Sequence, residues 1–194
     1  MSAPMAQPET ASPPDQSALA ARLPPPEARE AAVCARLAEL GIPYKTHAHA
    51  PVFTVEEAQG LRGTLPGTHT KNLFLEDRKG GLWLVSAREE LRIDLNALSK
   101  SLPAPRFSFG APDLLVEVLG ILPGAVSPFA LLNDKASRVK AVFDRGMLER
   151  DPINFHPLRN DRTTAISAAD LLRFAKVTGH DPIVAALPVR DVSA

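Results

Sequence analysis

Three stretches carry the residue types from which a reactive or binding site could be built. Lys71-Asn72-Leu73-Phe74 places a cation and an amide at the head of an apolar run. Residues 120 to 128 contain a Pro123-Gly124 turn and Ser127 just before Pro128. Residues 154 to 161 hold His156 between Phe155 and Pro157. Lysine is a compact point charge on a long stem, suited to a phosphate or carboxylate, and asparagine both donates and accepts hydrogen bonds. A glycine such as Gly124 lets a ligand approach the backbone closely. A neutral imidazole donates one bond and accepts another. Each residue also has a plainer reading: a strand-end lysine, a turn glycine, a structural histidine. Taken together, one cation, one imidazole and a close-approach loop suit an anionic small-acyl substrate better than a metal or a covalent intermediate.

Other chemistries lack their residues. A catalytic Ser127 would need a base and an oxyanion hole, and no G-x-S-x-G elbow occurs, so Ser127 is assigned a structural or binding role. His47, His49 and His69 lie apart from His156, and no H-x-x-x-H, H-E-x-x-H or C-x-x-C spacing exists, so no metal site is expected. No Walker A sequence and no G-x-G-x-x-G supports nucleotide hydrolysis or dinucleotide binding, and no cofactor is expected. The formal net charge is zero, from 22 basic and 22 acidic residues. A chain gripping a long stretch of nucleic acid carries a basic surplus, so any such contact should be local or assisted by a partner. The single cysteine, Cys34, lies among alanines and reads as core; it cannot form an internal disulfide, which favours a reducing compartment. With no apolar run of membrane-spanning length and no secretory pattern, a cytoplasmic location and no membrane partner are expected.

The elements that must position these residues follow from caps and periodicity. Residues 1 to 24 are rich in Pro, Ala, Ser and Gln and read as a disordered tail; residues 25 to 194 read as one domain. A helix is expected from Pro26 or Glu27, with an apolar stripe of Ala32, Val33, Leu37 and Leu40, and Gly41 closing it. Pro43 to His47 reads as a strand. Thr54 and Glu57 form a capping box opening a short helix to about Leu61. Lys71–Glu76 and Leu82–Ala87 read as a hairpin around Gly80-Gly81. Asp94 caps a helix over Leu95–Leu102, and Asp113–Leu119 is a helix ended by Gly120. Val139–Phe143, Ile153–His156 and Thr163–Ile166 read as strands, and Ser167 with Asp170 caps the last helix, closed by Gly179. Strands and helices mix without a strict βαβ rhythm, so the fold class is α+β, with one mixed, largely antiparallel sheet and packed helices.

At this point the chain resembles a known family. Pro51-Val52-Phe53-Thr54-Val55-Glu56-Glu57-Ala58, Lys71 to Leu75, Leu119 to Phe129, and Asn154-Phe155-His156-Pro157 with Asn160-Asp161 and Thr163-Thr164 are similar, in order and spacing, to the YbaK/prolyl-tRNA synthetase-associated editing superfamily. Within it they resemble the freestanding PrdX or ProXp-ala type. The resemblance implies a mixed sheet wrapped by helices, and hydrolysis in trans of mischarged proline tRNA, Ala-tRNA(Pro) in particular. It implies that Lys71 contacts the phosphate or ribose of the terminal adenosine, that the Gly124 backbone positions the aminoacyl ester, and that His156 orients the substrate. Asn72 and Ser127 would supply pocket hydrogen bonds, and Phe53, Thr54 and Leu73 would shape a small side-chain pocket. The implied partner is the acceptor end of tRNA(Pro) carrying a small amino acid, with prolyl-tRNA synthetase or an elongation factor as a delivery route. No protein nucleophile is implied; water attack assisted by the ribose hydroxyl is expected. Two alternatives stay open: the same reaction on Cys-tRNA(Pro) or on Ser or Thr esters, and a non-catalytic tRNA- or synthetase-binding module.

Overall fold

The computed structural model describes residues 16–51 and 65–190. Thr54 with Glu57, and Phe53, lie outside those residues. Among the described residues there are eight strands, six α-helices and one 3-10 turn. The expected α+β class with a mixed sheet is what the chain adopts. In chain order the elements are α1 (Ser17–Ala20), α2 (Pro26–Glu39), β1 (Lys45–Ala48), β2 (Thr68–Asp77), β3 (Leu82–Arg88), α3 (Leu95–Ser101), β4 (Phe107–Phe109), α4 (Pro112–Leu119), the 3-10 turn (Pro128–Leu132), β5 (Val139–Asp144), α5 (Arg145–Leu148), β6 (Ile153–Phe155), β7 (Arg162–Ile166), α6 (Ala168–Val177) and β8 (Ile183–Ala185).

Caps set the helix limits as their chemistry dictates. The Asp94 carboxylate accepts from the N–H groups of Asn96 and Ala97 and opens α3. Ser167 Oγ accepts from Asp170 N–H and opens α6, and Gly120 in the left-handed region closes α4. One difference lies at the N-terminal side: residues 16–24, read as part of a disordered tail, carry the α1 turn, and Arg22 pairs with Asp113 at 2.5 Å on α4. Cys34 is only half-buried, while Val33 and Leu37 of the same helix are the fully buried residues.

The sheet runs β1-β7-β6-β2-β3-β5-β8, with β4 paired to β2 off this path. Four pairings are antiparallel (β1/β7, β6/β7, β2/β3, β2/β4) and three parallel (β2/β6, β3/β5, β5/β8). Three of the seven involve β2. One of its edges pairs with β3 from Thr70 to Glu76. The other pairs with β6 at Thr68 and His69, and with β4 from Leu75 to Asp77. The strand therefore begins three residues before Lys71. Its first residues are held by pairing to a strand more than 80 positions away, so nothing local in the sequence marks its start.

Alternation along β2 and β3 sends side chains to two cores. Phe74, Leu82 and Leu84 join the larger core with Val33, Leu37, Phe129, Phe155 and Phe174. There Phe129 packs edge-on against both Phe155 and Phe174. Leu75, Trp83 and Val85 join a smaller core with Leu98, Phe107, Val142 and Leu187. Asp77 locks the β2–β3 hairpin. Its carboxylate accepts from the N–H groups of Lys79 and Gly81 and from Trp83 Nε1, at 2.8, 3.0 and 2.9 Å. Burial alone pushes this carboxyl up, but the three bonds and the Lys140 charge outweigh it and hold it below its ordinary value.

Asp77→Ala leaves three donors without an acceptor and is expected to cost about 2–3 kcal/mol of stability. The depressed carboxyl adds stability that is complete above the unfolded value of 3.8 and is lost as pH falls through the native value. Denaturant melts should therefore show the gap between the wild type and Asp77→Asn narrowing from pH 7 to pH 3; a constant gap would contradict the assignment.

Candidate active site

The pairing of β2 leaves a gap. Between its contacts with β6 and with β4, Lys71, Asn72 and Leu73 have no strand partner on that edge among the described residues. On either side of the gap the bonds are made: Thr68 N–H donates to Pro152 O, and Phe74 O accepts from Gly110 N–H. Backbone groups two residues apart in a strand point the same way, so the N–H and C=O of Asn72 face the open edge.

A small cavity of about 90 Å³ lies there, lined by His49, Leu65, His69, Thr70, Asn72, Glu89, Asn154, Phe155, His156 and Thr163. Pockets for whole drug-sized ligands run to about 300–1,000 Å³, so this one admits a small group only. His156 follows β6 directly, and its Nδ1 lies 2.7 Å from Arg162 O. A carbonyl can only accept, so Nδ1 carries the proton and Nε2 keeps its lone pair in the neutral ring. Burial pushes the His156 pKa down, aided by His49 and opposed by the Arg162 carbonyl, Asp161 and Glu89. The ring is therefore neutral at pH 7.

His49 stands beside it, with ring centroids 5.9 Å apart. Its Nδ1 donates to Ala50 O at 2.8 Å, so its Nε2 accepts from the Thr163 hydroxyl at 2.9 Å. His69 lies within 3.3 Å of Leu65 O. Sequence reading set His49 and His69 aside because they are far from His156 along the chain; β1 and β2, each joined to the β6–β7 hairpin, bring them together. No group of three His, Cys, Asp or Glu suited to a metal ion exists among the described residues. Asn72 contributes an amide oxygen that is buried and without a partner among the described residues, and Ser86, directly across the β2–β3 ladder, has a buried hydroxyl in the same condition. An unpaired buried acceptor is costly unless a ligand or water meets it, which suits Asn72 to a hydroxyl or amine donor.

The loop after His156 is anchored by Arg159. Its guanidinium grips Asp161 with Nε and Nη2 and reaches Glu30 and Glu27 of α2 at 3.1 and 3.2 Å. This ties the His156 loop to the first helix.

The remaining candidates are spread around this centre. Lys71 and Leu73 point to the opposite face of β2 from Asn72, into a hollow they share with Arg92, Ile93, Leu95, Phe109 and Arg190. Lys71 Nζ donates to Leu91 O, and burial lowers its pKa against the opposing pull of Glu89 and Glu90. Gly124 is exposed with φ +90°, and a Cβ there would meet nothing within 4 Å. Glycine is required by backbone conformation, and the space beside it is open. Its neighbours Pro123 and Ala125 line a further hollow with Arg29, Arg159, Asn160 and Asp161. Ser127 is fully buried, and its hydroxyl accepts from Phe129 N–H to open the 3-10 turn, away from the linings above.

The chain belongs to the aminoacyl-tRNA editing domain family, whose model matches residues 49–174. It is 38% identical over 150 residues to the prolyl-tRNA editing protein ProX of Acetoanaerobium sticklandii, covering 77% of this chain and 92% of that one. It is 40% identical over 159 residues to the prolyl-tRNA synthetase associated domain-containing protein 1 of Bos taurus, covering 79% and 92%. A crystal structure described as that of a candidate trans-editing enzyme for prolyl tRNA synthetase superposes with a TM-score of 0.66 at 20% identity, covering 87% of this chain and 99% of that one.

The pKa direction of His156 has a measurable consequence. In nitrogen-15 NMR at pH 6.5, its ordinary midpoint, His156 is expected to be predominantly neutral with the proton on Nδ1. Because the native state binds fewer protons than the unfolded chain below that pH, the group costs stability as pH falls. A ring half-protonated at pH 6.5, or protonated on Nε2, would contradict the geometry.

Proposed function

We propose that the protein is a trans-acting deacylase that hydrolyses the ester of alanine mischarged on tRNA(Pro). The observation that carries this reading is the small cavity where Asn72 and the neutral His156 meet, in a chain of the editing family. The synthetic error it would correct has a physical origin. A proline pocket cannot strongly reject a smaller apolar amino acid, since a methylene is worth only about 1–3 kcal/mol. A second site too small for proline reverses the selection.

The chemistry asked of the protein is modest. An aminoacyl ester is already activated, so holding it beside a water and offering hydrogen bonds to the developing charge suffices. In this proposal His156 Nε2 accepts a proton-bearing group, either the attacking water or a ribose hydroxyl. The Asn72 amide oxygen accepts from the amine or ribose, and the open Asn72 backbone edge holds the substrate in register. Lys71, one residue away on the other face of the strand, contacts the phosphate or ribose of the terminal adenosine. The Gly124 backbone positions the acyl group, while Leu73, on the other face of the strand, lines the second hollow. Attack by water, with help from the ribose hydroxyl, requires no acyl-enzyme; the Thr163 hydroxyl is committed to orienting His49. Cytoplasmic tRNA(Pro), delivered with prolyl-tRNA synthetase or an elongation factor, is the matching partner.

Deacylation of Ala-, Cys-, Ser- and Pro-tRNA(Pro) by the purified protein tests the reading. Alanine should be released and proline spared, and His156→Ala or Lys71→Ala should lower kcat/KM by about 100-fold or more. Release of cysteine or serine in preference would reassign the substrate. An acyl group trapped on Thr163 would overturn the water mechanism. Absence of hydrolysis of all four esters would overturn the enzymatic reading.

A further inference from the structure

The hollow on the far face of β2 differs from the cavity around His156 in size and character. Its volume is about 430 Å³, its walls are Leu73, Ile93 and Leu95, and its remaining lining is Phe109, Lys71, Arg92 and Arg190. Phe109 is 67% exposed, whereas the other described phenylalanines are at most 7% exposed. It lies opposite Leu75 in the β2–β4 ladder, so it continues the face of the smaller core past the end of its cover. Phe107, two residues earlier on the same face, is buried edge-on against Trp83.

The two arginines are held together by backbone. Arg190 N–H donates to Arg92 O at 2.8 Å, Asp94 N–H donates to Pro188 O, and Ile93 bridges Val189. Both side chains are exposed, and neither makes a hydrogen bond or ion pair to another described residue. Of the nearby carboxylates, Asp94 accepts two N–H groups of α3 and feels the Arg190 charge without pairing to it, and Glu90 lies 3.9 and 3.6 Å from Arg88 and Arg150. Glu89 lines the other cavity.

An exposed aromatic face beside clustered, uncommitted cations over an apolar wall is the arrangement that binds unpaired nucleotides. Bases stack on the ring whatever their identity, and the cations follow the phosphates. We infer that this hollow seats an unpaired nucleotide of the substrate RNA, its base against Phe109 and its flanking phosphates on Arg92 and Arg190. The inference rests on the proposed function, and adds to it the route by which the single-stranded end arrives. Lys71 and Asn72 are consecutive, so the two hollows lie on opposite faces of one strand beside its open edge. A chain seated on Phe109 passes over Lys71 and delivers its terminal ester to the cavity of Asn72 and His156. A chain of zero net charge then needs only this local cationic cluster to hold its RNA.

Binding is read without hydrolysis, using fluorescence anisotropy of a labelled, uncharged single-stranded RNA ending in CCA. Phe109→Ala is expected to weaken binding about tenfold or more, and Phe109→Trp to restore it. Arg92→Ala with Arg190→Ala should weaken binding and reduce the slope of log K against log salt by about 1.4, the loss of two single-strand phosphate contacts. Wild-type affinity in Phe109→Ala, failure of Trp to restore it, or an unchanged salt slope in the double variant would each overturn the inference. These outcomes are separate from those of the deacylation assay. Hydrolysis without dependence of RNA binding on Phe109 sinks this site alone, and RNA binding through Phe109 without hydrolysis sinks the enzymatic reading alone.

Discussion

The site depends on how β2 satisfies its backbone. A strand inside a sheet must pair both edges or show its polar groups to solvent or ligand. β2 pairs one edge continuously with β3 but divides the other between β6 and β4, which reach it at opposite ends. The stretch between them keeps its direction because β3 holds it, and keeps its polar edge open because neither neighbour extends far enough. A rigid strand with unmade hydrogen bonds is a good place to hold a substrate: the donors and acceptors are already fixed, and little ordering is required when they are used. The alternation of the same strand presents an amide to one face and a cation to the other within a single residue step.

The imidazole beside that edge is prepared in a similar way. His156 is oriented by the Arg162 carbonyl, and the segment between them is closed by the Arg159–Asp161 pair. Arg159 is largely buried and meets three carboxylates, those of Asp161, Glu30 and Glu27. Removing one partner from such a group leaves uncompensated buried charge, which is why buried pairs resist disturbance even where they add little net stability. The network therefore acts through position. It fixes the loop to α2, and the loop fixes the tautomer that leaves Nε2 free to accept.

Much of this was legible in the sequence where the determinant is local. Asp94, Ser167 and Gly120 mark helix ends through their own side chains or lack of one, and the β2–β3 hairpin follows from Gly80-Gly81 between apolar runs. The start of β2 at Thr68 was not legible, because a parallel partner from residues 153 and 154 holds it. β4 and β8, at three residues each, carry too little pattern to announce themselves. The same distinction governs the site. Asn72 and His156 were singled out by residue type and do share a cavity, but Lys71 was placed beside them when alternation sends it to the other face. Ser127 was given a structural or binding role; its hydroxyl accepts from Phe129 N–H at the head of the 3-10 turn, away from both hollows. His49 and His69 were dismissed by sequence distance, which sheet pairing overrides. Phe109 gave no signal, since an apolar residue in a short strand reads as core until its cover is seen to stop.

The two hollows also explain how a small domain could handle a large substrate with little charge. A cavity of about 90 Å³ can test only the acyl group and the atoms beside it. It discriminates by refusing bulk, which needs rigid walls and little binding energy. The energy must then come from contacts that are the same for every acyl group, and a stacking ring with a few cations supplies that without reading the amino acid. If the far-face hollow seats RNA as proposed, placing the two functions on opposite faces of one strand would keep them independent: tightening the RNA contact would not enlarge the cavity, and narrowing the cavity would not loosen the RNA. A double sieve requires that independence, because discrimination comes from the difference between two acyl groups on the same tRNA, and every shared contact cancels from it.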